Sequence, residues 1–295
     1  MTLYSDSTIF GYADDTTSTV SGTDIPMLVA KCEEEAKKII DYMSINRLKA
    51  NDDKTHVMVI QKSQTEEKLT FQIGKETITE SESEKLLGIH VSNNLRWEQH
   101  LSHLLPKLRH RLFTLRRIKG KLPNHLLKRV ADGIFMSQVR YGLPLYCPVK
   151  IKEEDPTPGC IDNLTVAFND CLRLITGNTR QDHTSIKNML EELGWLSLNQ
   201  LSAETRLIQA WNTAHVEDYC LQDTLTKRRK GSYSTRGSEV DHFEPGEENR
   251  ITSSGSFVNQ TAKLWNQAPI QIKSATTLEQ AKSLIRSYVK TLPIS

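Results

Sequence analysis

The sequence predicts an α+β fold, with short antiparallel strands near the N-terminus and mostly helices from about residue 95 onward. Up to residue 93, apolar and polar residues alternate in short runs that are separated by turn residues, which is typical of hairpins. From residue 97 the apolar residues recur at helical spacing instead. The chain has 295 residues, of which 37% are hydrophobic and 25% are charged. It is therefore long enough for two domains or one large one.

The first predicted hairpin carries two adjacent carboxylates at its tip. An apolar run at residues 9–11 and a polar, β-prone run at residues 16–20 flank the sequence Tyr12-Ala13-Asp14-Asp15. A tight turn between two strands can present both carboxylates at one point, where at least one can reach a Mg²⁺ ion. The alternative is that these carboxylates only cap backbone groups of the turn, as Asp side chains commonly do.

A helix and a further strand are predicted next. Asp24 is a suitable N-cap, and Pro26 falls in the first helical turn, where its missing N–H costs little. Apolar residues then recur at helical spacing as far as Met43. The apolar run at residues 56–60 predicts a strand, and Lys54 lies in the polar loop just before it.

Two more β elements complete the N-terminal part. Residues 68–79 alternate around Gly74 and Lys75, which predicts a hairpin. Residues 84–91 predict a single strand that contains Leu87 and Gly88. The generic alternative for a glycine in such a strand is a residue tolerated at a β-bulge.

A strongly basic helix is predicted from Trp97 to about Leu115, although Pro106 should kink or split it. Residues 101–150 contain eleven lysines and arginines against one acid, Asp132, whereas the net charge of the whole chain is only +2. Concentrated positive charge is typical of nucleic-acid-binding elements, although solvated basic helices also occur without a partner. The candidate nucleic-acid-binding residues here are Lys107, Arg109, Arg111, Arg116, Arg117, Lys119 and Lys121.

The remainder of the chain is predicted to be helical, with one long loop. A helix is expected to end at Gly177, another to span residues 198–216, and a last one to open at a capping box in residues 276–279. Residues 222–256 have little apolar periodicity and predict a flexible loop. The Lys-Arg-Arg-Lys run at residues 227–230 is either a nuclear localisation or nucleic-acid patch, or a solvated charge run.

The composition argues against a membrane protein or a secreted protein. No segment approaches the roughly 18–20 apolar residues of a membrane-spanning helix, and no secretory leader or transit peptide is visible. The five cysteines are scattered, without a C-x-x-C pair, which favours free thiols in a reducing compartment and argues against a zinc knuckle. We therefore expect an intracellular location, in the nucleus, the cytoplasm or both, and the sequence leaves the oligomeric state open.

Three of these motifs, in this order, resemble those of a known enzyme family. The sequence Phe-Gly-Tyr-Ala-Asp-Asp-Thr at residues 10–16, the pattern Leu-x-x-Asn-x-x-Lys-Thr at residues 48–55 and the Leu87-Gly88 pair resemble segments of the reverse transcriptases of non-LTR retrotransposons (LINE- or jockey-like elements). The resemblance covers nearly the whole chain and is to the C-terminal part of such an enzyme. It implies membership of the RNA-directed DNA polymerases, which are nucleotidyltransferases.

The resemblance also implies a domain organisation. A small antiparallel palm remnant, from the catalytic turn to the primer-grip strand, would occupy residues 1–93. A basic helical thumb would occupy residues 94–150. A helical C-terminal region would follow in residues 151–295, with the flexible loop near residues 222–256.

Roles for individual residues follow from the same resemblance. Asp14 and Asp15 would hold Mg²⁺ ions for nucleotidyl transfer. Lys54 would face the triphosphate of an incoming dNTP, as an electrostatic stabiliser or a proton donor. Tyr12 and the Leu87-Gly88 pair would contact nucleic acid, the latter by seating the primer. The basic thumb residues would contact the backbone of the RNA template and DNA primer without reading its sequence.

The position of the carboxylate turn predicts that this chain alone is inactive. Only eleven residues precede Tyr12, whereas the resemblance implies a further catalytic Asp on a strand well upstream. Asp6 is the sole acid in that stretch and is too close in sequence to belong to a separate strand. We therefore expect a truncated copy that lacks the fingers and the first catalytic strand. The alternatives are a non-catalytic module that binds nucleic-acid duplex non-specifically, and a non-functional remnant.

Overall fold

The computed structural model describes residues 7–60, 67–155, 159–225, 242–244 and 256–294. Within these ranges the protein combines helices and strands: it is 56% helical, and its strands form three antiparallel sheets of two strands each. The chain divides into two compact units, Met1–Gln99 and His100–Ser295. The expected combination of small antiparallel sheets with mostly helical structure is therefore confirmed.

Each sheet of the first unit is a hairpin with a two-residue turn, which fixes the register of its strands. The strand pairs are β1 (Thr8–Tyr12) with β2 (Asp15–Thr19), β3 (Thr70–Ile73) with β4 (Glu76–Thr79), and β5 (Ser83–Leu86) with β6 (Ile89–Ser92). The hairpins predicted around residues 13–14 and 74–75 are thus confirmed.

The prediction of a single strand at residues 84–91 is wrong, because the chain reverses at Leu87 and Gly88. These residues have φ angles of 48° and 87°, and positive φ at both central residues is the signature of a type I′ hairpin turn. Leucine rarely adopts this conformation because its Cβ crowds the following carbonyl oxygen. Such turns are usually predicted from an Asn-Gly or Asp-Gly pair, so the Leu-Gly pair gave no signal of a turn.

Helix α1 (Ile25–Ile45) begins as predicted. The carboxylate of Asp24 accepts a hydrogen bond from the Met27 N–H at 3.3 Å, and Pro26 lies in the first turn. The helix packs on the β3–β4 hairpin, and a small core forms between them around Phe71 and Ile73. The partly buried residues at this core are Leu28, Val29, Cys32, Ala36, Ile40, Val57, Leu69 and Ile78.

Residues 56–60, predicted to be a strand, belong to no strand of the described structure. Their apolar pattern reflects burial, because Val59 lies in the core of this unit. The carbonyl of Val57 accepts hydrogen bonds from the N–H and hydroxyl of Ser81, at 2.8 and 3.0 Å. This contact involves a single residue of the segment, whereas a strand requires a ladder of such hydrogen bonds along its length.

The second unit is built from helices. In chain order these are α2 (Glu98–Ile118), α3 (Asn124–Ala131), α4 (Ser137–Arg140), α5 (Leu143–Tyr146), α6 (Cys160–Thr176), α7 (Ile186–Leu193), α8 (Leu198–His215), α9 (Phe257–Gln267), α10 (Ile270–Lys273) and α11 (Leu278–Val289). α2 is not split at Pro106, since the helix continues on both sides of it. The predicted stop of α6 at Gly177 is confirmed, with Gly177 at a φ of 82°. None of the described helices is long and apolar enough to cross a membrane.

The core of the second unit is centred on α8, which packs against α5, α9 and α11. Its Arg206 side chain is fully buried and donates hydrogen bonds to the carbonyls of Pro144 and Phe257. One buried guanidinium therefore joins α8 to the other two helices that contain these carbonyls, α5 and α9.

Part of the predicted flexible loop is packed in the core. Phe243 is fully buried against Trp265, with ring centroids 5.7 Å apart. Its backbone N–H donates to the side chain of Asn266 at 3.0 Å, and its carbonyl accepts from the same amide at 2.8 Å. The prediction of a flexible loop is therefore wrong for residues 242–244. The basic run at residues 227–230, like Asp6, lies outside the described residues.

Candidate metal-binding turn and nucleic-acid interface

The two candidate metal ligands lie at the tip of the β1–β2 hairpin. Tyr12 and Asp15 form the last residue pair of the ladder, so Ala13 and Asp14 make the two-residue loop. Ala13 has a φ of 54°, because a two-residue hairpin loop needs a left-handed residue to match the twist of its strands. That conformation costs an alanine roughly 1–2 kcal/mol. The chain therefore holds adjacent carboxylates at a strained turn.

Both carboxylates are accessible to a cation. Asp14 and Asp15 are exposed, and neither forms an ion pair within the described part of the chain. Mg²⁺ commonly binds one or two carboxylates together with phosphate oxygens and water. The pair therefore fits the protein's share of such a site. Among the described residues, no group of three or more His, Cys, Asp and Glu side chains could hold a metal ion.

Tyr12 has an aromatic neighbour that sequence reasoning missed. Phe10 and Tyr12 lie two residues apart on β1, so their side chains share one face of the hairpin. They are 58% and 68% exposed. The signal was their two-residue spacing in the sequence, because residues i and i+2 of a strand lie on the same face. The hairpin therefore presents two exposed aromatic residues on the strand that leads to the carboxylates.

Lys54 lies in the same unit, at the end of a single 3₁₀ turn (Asp52–Lys54). Its backbone N–H donates to the carbonyl of Asn51 at 3.1 Å, and its side chain is exposed. In the described structure, no hydrogen bond or ion pair joins Lys54 to Asp14 or Asp15. The geometry thus leaves the ammonium group in water, where it is available to an anionic ligand.

Leu87 and Gly88 lie at the exposed tip of the β5–β6 hairpin. This sheet is separate from the β1–β2 sheet that carries the carboxylates. Since Gly88 has no side chain, Leu87 carries the one side chain of this two-residue turn. The structure therefore places the predicted primer contact on a hairpin tip instead of within a strand.

The predicted basic residues all lie in α2 and in the short turn that follows it, within the second unit. Five belong to α2, namely Lys107, Arg109, Arg111, Arg116 and Arg117, and two to the 3₁₀ turn that follows, namely Lys119 and Lys121. The buried side of α2 contains His100, Leu101, Leu104, Leu105, Leu108, Leu112 and Leu115. Apolar packing therefore fixes which way the helix faces and leaves its cations toward solvent. We call these seven basic residues the α2 basic face.

No carboxylate neutralises the α2 basic face in the part of the chain that the structure describes. Arg111 and Lys119 are half-buried and the other five cations are exposed. None of the ion pairs among described residues includes any of the seven. The single acid of this region, Asp132, lies on a later turn (Asp132–Met136). The face is therefore a concentrated positive charge that is available to an anionic partner.

An exposed aromatic ring within this face was missed at the level of sequence. Phe113 is 56% exposed, and the guanidinium carbon of Arg117 lies 5.8 Å from the centroid of its ring. The apolar period of α2 uses Leu108, Leu112 and Leu115, and Phe113 falls outside it. An aromatic residue at a polar-face position of an amphipathic helix was the available signal.

A cavity of about 380 Å³ lies beside α1 in the first unit, lined by α1, β2 and residues 55–60 among others. Its wall includes the buried carboxylate of Glu35, which accepts a hydrogen bond from the Lys38 ammonium at 2.7 Å. The hydrogen bonds of Lys38 to Glu35 and Glu34 raise the pKa of its ammonium group above the usual range. Sequence reasoning missed Glu35, although an acid next to Ala36 on the apolar face was visible.

Comparison with known proteins identifies no relative: no protein-family model, no curated protein and no solved structure matches this chain.

Proposed function

We propose that this chain is a reverse-transcriptase-like polypeptide, of the non-LTR retrotransposon type, that binds the backbone of a nucleic-acid duplex through its α2 basic face. The observation that carries the proposal is the set of seven basic side chains with no carboxylate partner in the described structure. The duplex of the resembled family is an RNA template paired with a DNA primer. Contacts of this kind fix the position of the duplex but do not read its sequence.

The size of the face suits several phosphates at once. From Lys107 to Ile118 the helix rises about 17 Å at 1.5 Å per residue. Duplex DNA carries one negative charge per about 1.7 Å of its axis, so a duplex lying along α2 offers more phosphates than there are cations. The five exposed cations, Lys107, Arg109, Arg116, Arg117 and Lys121, then define about five contacts.

Binding through five phosphates has a definite salt signature. Each neutralised phosphate releases condensed counterions, so the slope of log affinity against log salt is about −4.5 for a B-form duplex. Affinity is therefore expected to fall about 500-fold between 50 and 200 mM salt, in proportion to that slope. Fluorescence anisotropy of a labelled duplex measures this directly. Undetectable binding at low salt, or binding that salt does not weaken, would contradict the proposal.

The β1–β2 turn supports the polymerase ancestry. Asp14 and Asp15 supply carboxylate oxygens at one exposed point, and we propose that they hold Mg²⁺ when dNTP and primer are present. A bound pair of ions would stabilise the attacking and leaving oxygens of the nucleotidyl transfer. Tyr12, beside this turn, would contact the nucleic acid. Lys54 would contribute positive charge toward the triphosphate, and the Leu87-Gly88 tip would approach the primer backbone.

We further propose that this 295-residue chain does not extend primers by itself. Two-metal transfer uses carboxylates from separate strands in the resembled family, whereas Asp14 and Asp15 both belong to one turn. Primer extension on an RNA template with Mg²⁺, run beside an Asp14→Ala variant, measures this. No extension by either protein is expected. Robust extension that the substitution abolishes would overturn this part of the proposal.

A non-catalytic nucleic-acid-binding module is the second candidate function. It is favoured by the location of the whole α2 basic face within the His100–Ser295 unit, which has its own buried core. The two candidates predict the same duplex binding but differ in their dependence on the carboxylates. Under the second, replacing Asp14 and Asp15 with Asn leaves every nucleic-acid and metal-dependent property unchanged. Under the first, Mg²⁺ increases dNTP binding in the unsubstituted chain only.

A further inference from the structure

Phe113 lies among three arginines of the α2 basic face. On a helix, residues three and four positions apart are neighbours on one side. Arg109 therefore lies one turn before the ring, and Arg116 and Arg117 lie one turn after it. Arg109 and Arg116 are about 10 Å apart along the helix axis at 1.5 Å per residue. The ring is thus flanked by cations on both sides.

The ring is available to a partner and is held by a neighbour. More than half of the Phe113 side chain, 56%, is exposed. The Arg117 guanidinium carbon, 5.8 Å from the ring centroid, lies within cation–π distance. That contact restricts the rotation of both side chains without covering the whole ring. A planar apolar surface surrounded by positive charge is the combination with which proteins bind single-stranded nucleic acid.

We propose that the α2 basic face binds single-stranded nucleic acid, with an unpaired base stacked on Phe113 and the flanking phosphates held by Arg109, Arg116 and Arg117. This inference rests on the proposed function, because it uses the same basic face, and it adds a preference for unpaired bases. In a duplex the faces of the bases are already stacked on one another, so an aromatic side chain reaches them only after unstacking, which costs a few kcal/mol. Phe113 therefore contributes to the binding of a single strand and not to that of an intact duplex.

Three ligands distinguish stacking from charge alone. They are a single strand of about 12 nucleotides, within the range of site sizes that such surfaces cover, an abasic strand of the same length, and a blunt duplex. The abasic strand keeps the phosphates but has no base to stack. Affinities are measured by fluorescence anisotropy at one low salt concentration, for the unsubstituted chain and for Phe113→Ala, Phe113→Trp and Val166→Ala. Val166 is the matched control, since it is 50% exposed on α6, away from α2 in sequence.

Phe113→Ala is expected to weaken binding of the single strand about 10-fold, in line with the loss of one base–aromatic stack. Its binding of the abasic strand and of the duplex should change by less than about 2-fold, because phosphate contacts remain. Phe113→Trp should keep the single-strand affinity, and Val166→Ala should leave all three affinities unchanged. Far-UV circular dichroism verifies that each variant is folded.

Two kinds of failure are separable. If the unsubstituted chain binds none of the three ligands, both the proposed function and this inference are overturned. If binding is strong and salt-dependent but Phe113→Ala weakens all three ligands equally, or none of them, only the stacking role of Phe113 is overturned.

Discussion

The substitution Arg206→Met removes a buried cation that joins three helices of the second unit, while it keeps an unbranched side chain of similar length. Arg206 is fully buried in α8. Its Nη1 donates to the carbonyl of Phe257 at 3.0 Å, and its Nη2 donates to the carbonyl of Pro144. A longer hydrogen bond of 3.4 Å joins Nε to the Ser202 hydroxyl. Methionine can make none of these hydrogen bonds.

The expected loss of stability follows from three terms. Hydrogen bonds from a charged donor contribute about 1.5–3 kcal/mol each, so the two to Phe257 and Pro144 contribute about 3–6 kcal/mol. The Pro144 carbonyl has no alternative donor one turn along, because residue 148 is Pro148, which has no N–H. Leaving it unpaired costs about 1–3 kcal/mol more. The third term has the opposite sign. Burial lowers the pKa of Arg206 to about 10, which corresponds to a free-energy cost of about 3 kcal/mol for keeping the buried guanidinium charged. The net destabilisation is about 3 kcal/mol.

Equilibrium unfolding in urea, followed by tryptophan fluorescence and circular dichroism, measures this loss. With a slope of about 2 kcal/mol per molar urea, the midpoint should fall by about 1.5 M. Arg286→Met is the matched control, because Arg286 is 45% exposed and pairs with Glu204 at 3.0 Å. An exposed pair contributes at most about 1 kcal/mol, so the control midpoint should fall by about 0.5 M or less. Equal midpoints for the two variants, or an unchanged midpoint for Arg206→Met, would refute the reasoning.

Two further predictions concern residues in the left-handed region. Leu87→Asn should stabilise the first unit by about 1 kcal/mol, because Asn-Gly suits a type I′ turn. Leu86→Asn, in the adjoining strand, should give no such stabilisation. A higher thermal midpoint for Leu86→Asn than for Leu87→Asn would contradict this. Gly177→Ala should destabilise the second unit by about 1 kcal/mol, because its φ of 82° strains any side chain although nothing lies within 4 Å of an added Cβ. Gly133→Ala, equally uncrowded but without a positive φ, should be neutral or stabilising, so equal losses in urea unfolding would show that the φ argument is wrong.

Helices were the part of the fold that the sequence predicted best. The Asp24 cap, Pro26 and the C-terminal glycine at Gly177 are local signals, and each acts through its own backbone neighbours. The strand predicted at residues 56–60 did not form, because strand structure depends on a partner that local pattern does not specify. Instead, Ser81 donates two hydrogen bonds to the carbonyl of Val57. The prediction that these residues are apolar and buried was correct, but the predicted strand conformation was wrong.

The candidate site was predictable where charge or turn geometry identified it. Asp14 and Asp15 lie at the hairpin tip because they come between two β-prone runs that pair as strands, with a loop of only two residues. Phe113 falls outside the leucine period of α2, so its place on the polar face could be predicted, whereas its contact with Arg117 depends on the side-chain conformations. Leu87 was placed in a strand because a leucine gives no sign of a left-handed turn. The surroundings of these two residues are set by the orientation of a helix and by the conformation of the backbone, and the amino-acid composition determines neither.

The salt dependence of duplex binding, measured for two double variants, tests most directly whether α2 contacts the phosphate backbone. Arg109→Gln with Arg116→Gln removes two cations of the α2 basic face, and Lys187→Gln with Lys290→Gln removes two exposed cations elsewhere in the same unit. Losing two phosphate contacts should change the slope of log affinity against log salt from about −4.5 to about −2.7, whereas the second pair should leave it near −4.5. Equal slopes for the two double variants would contradict the assignment of this face.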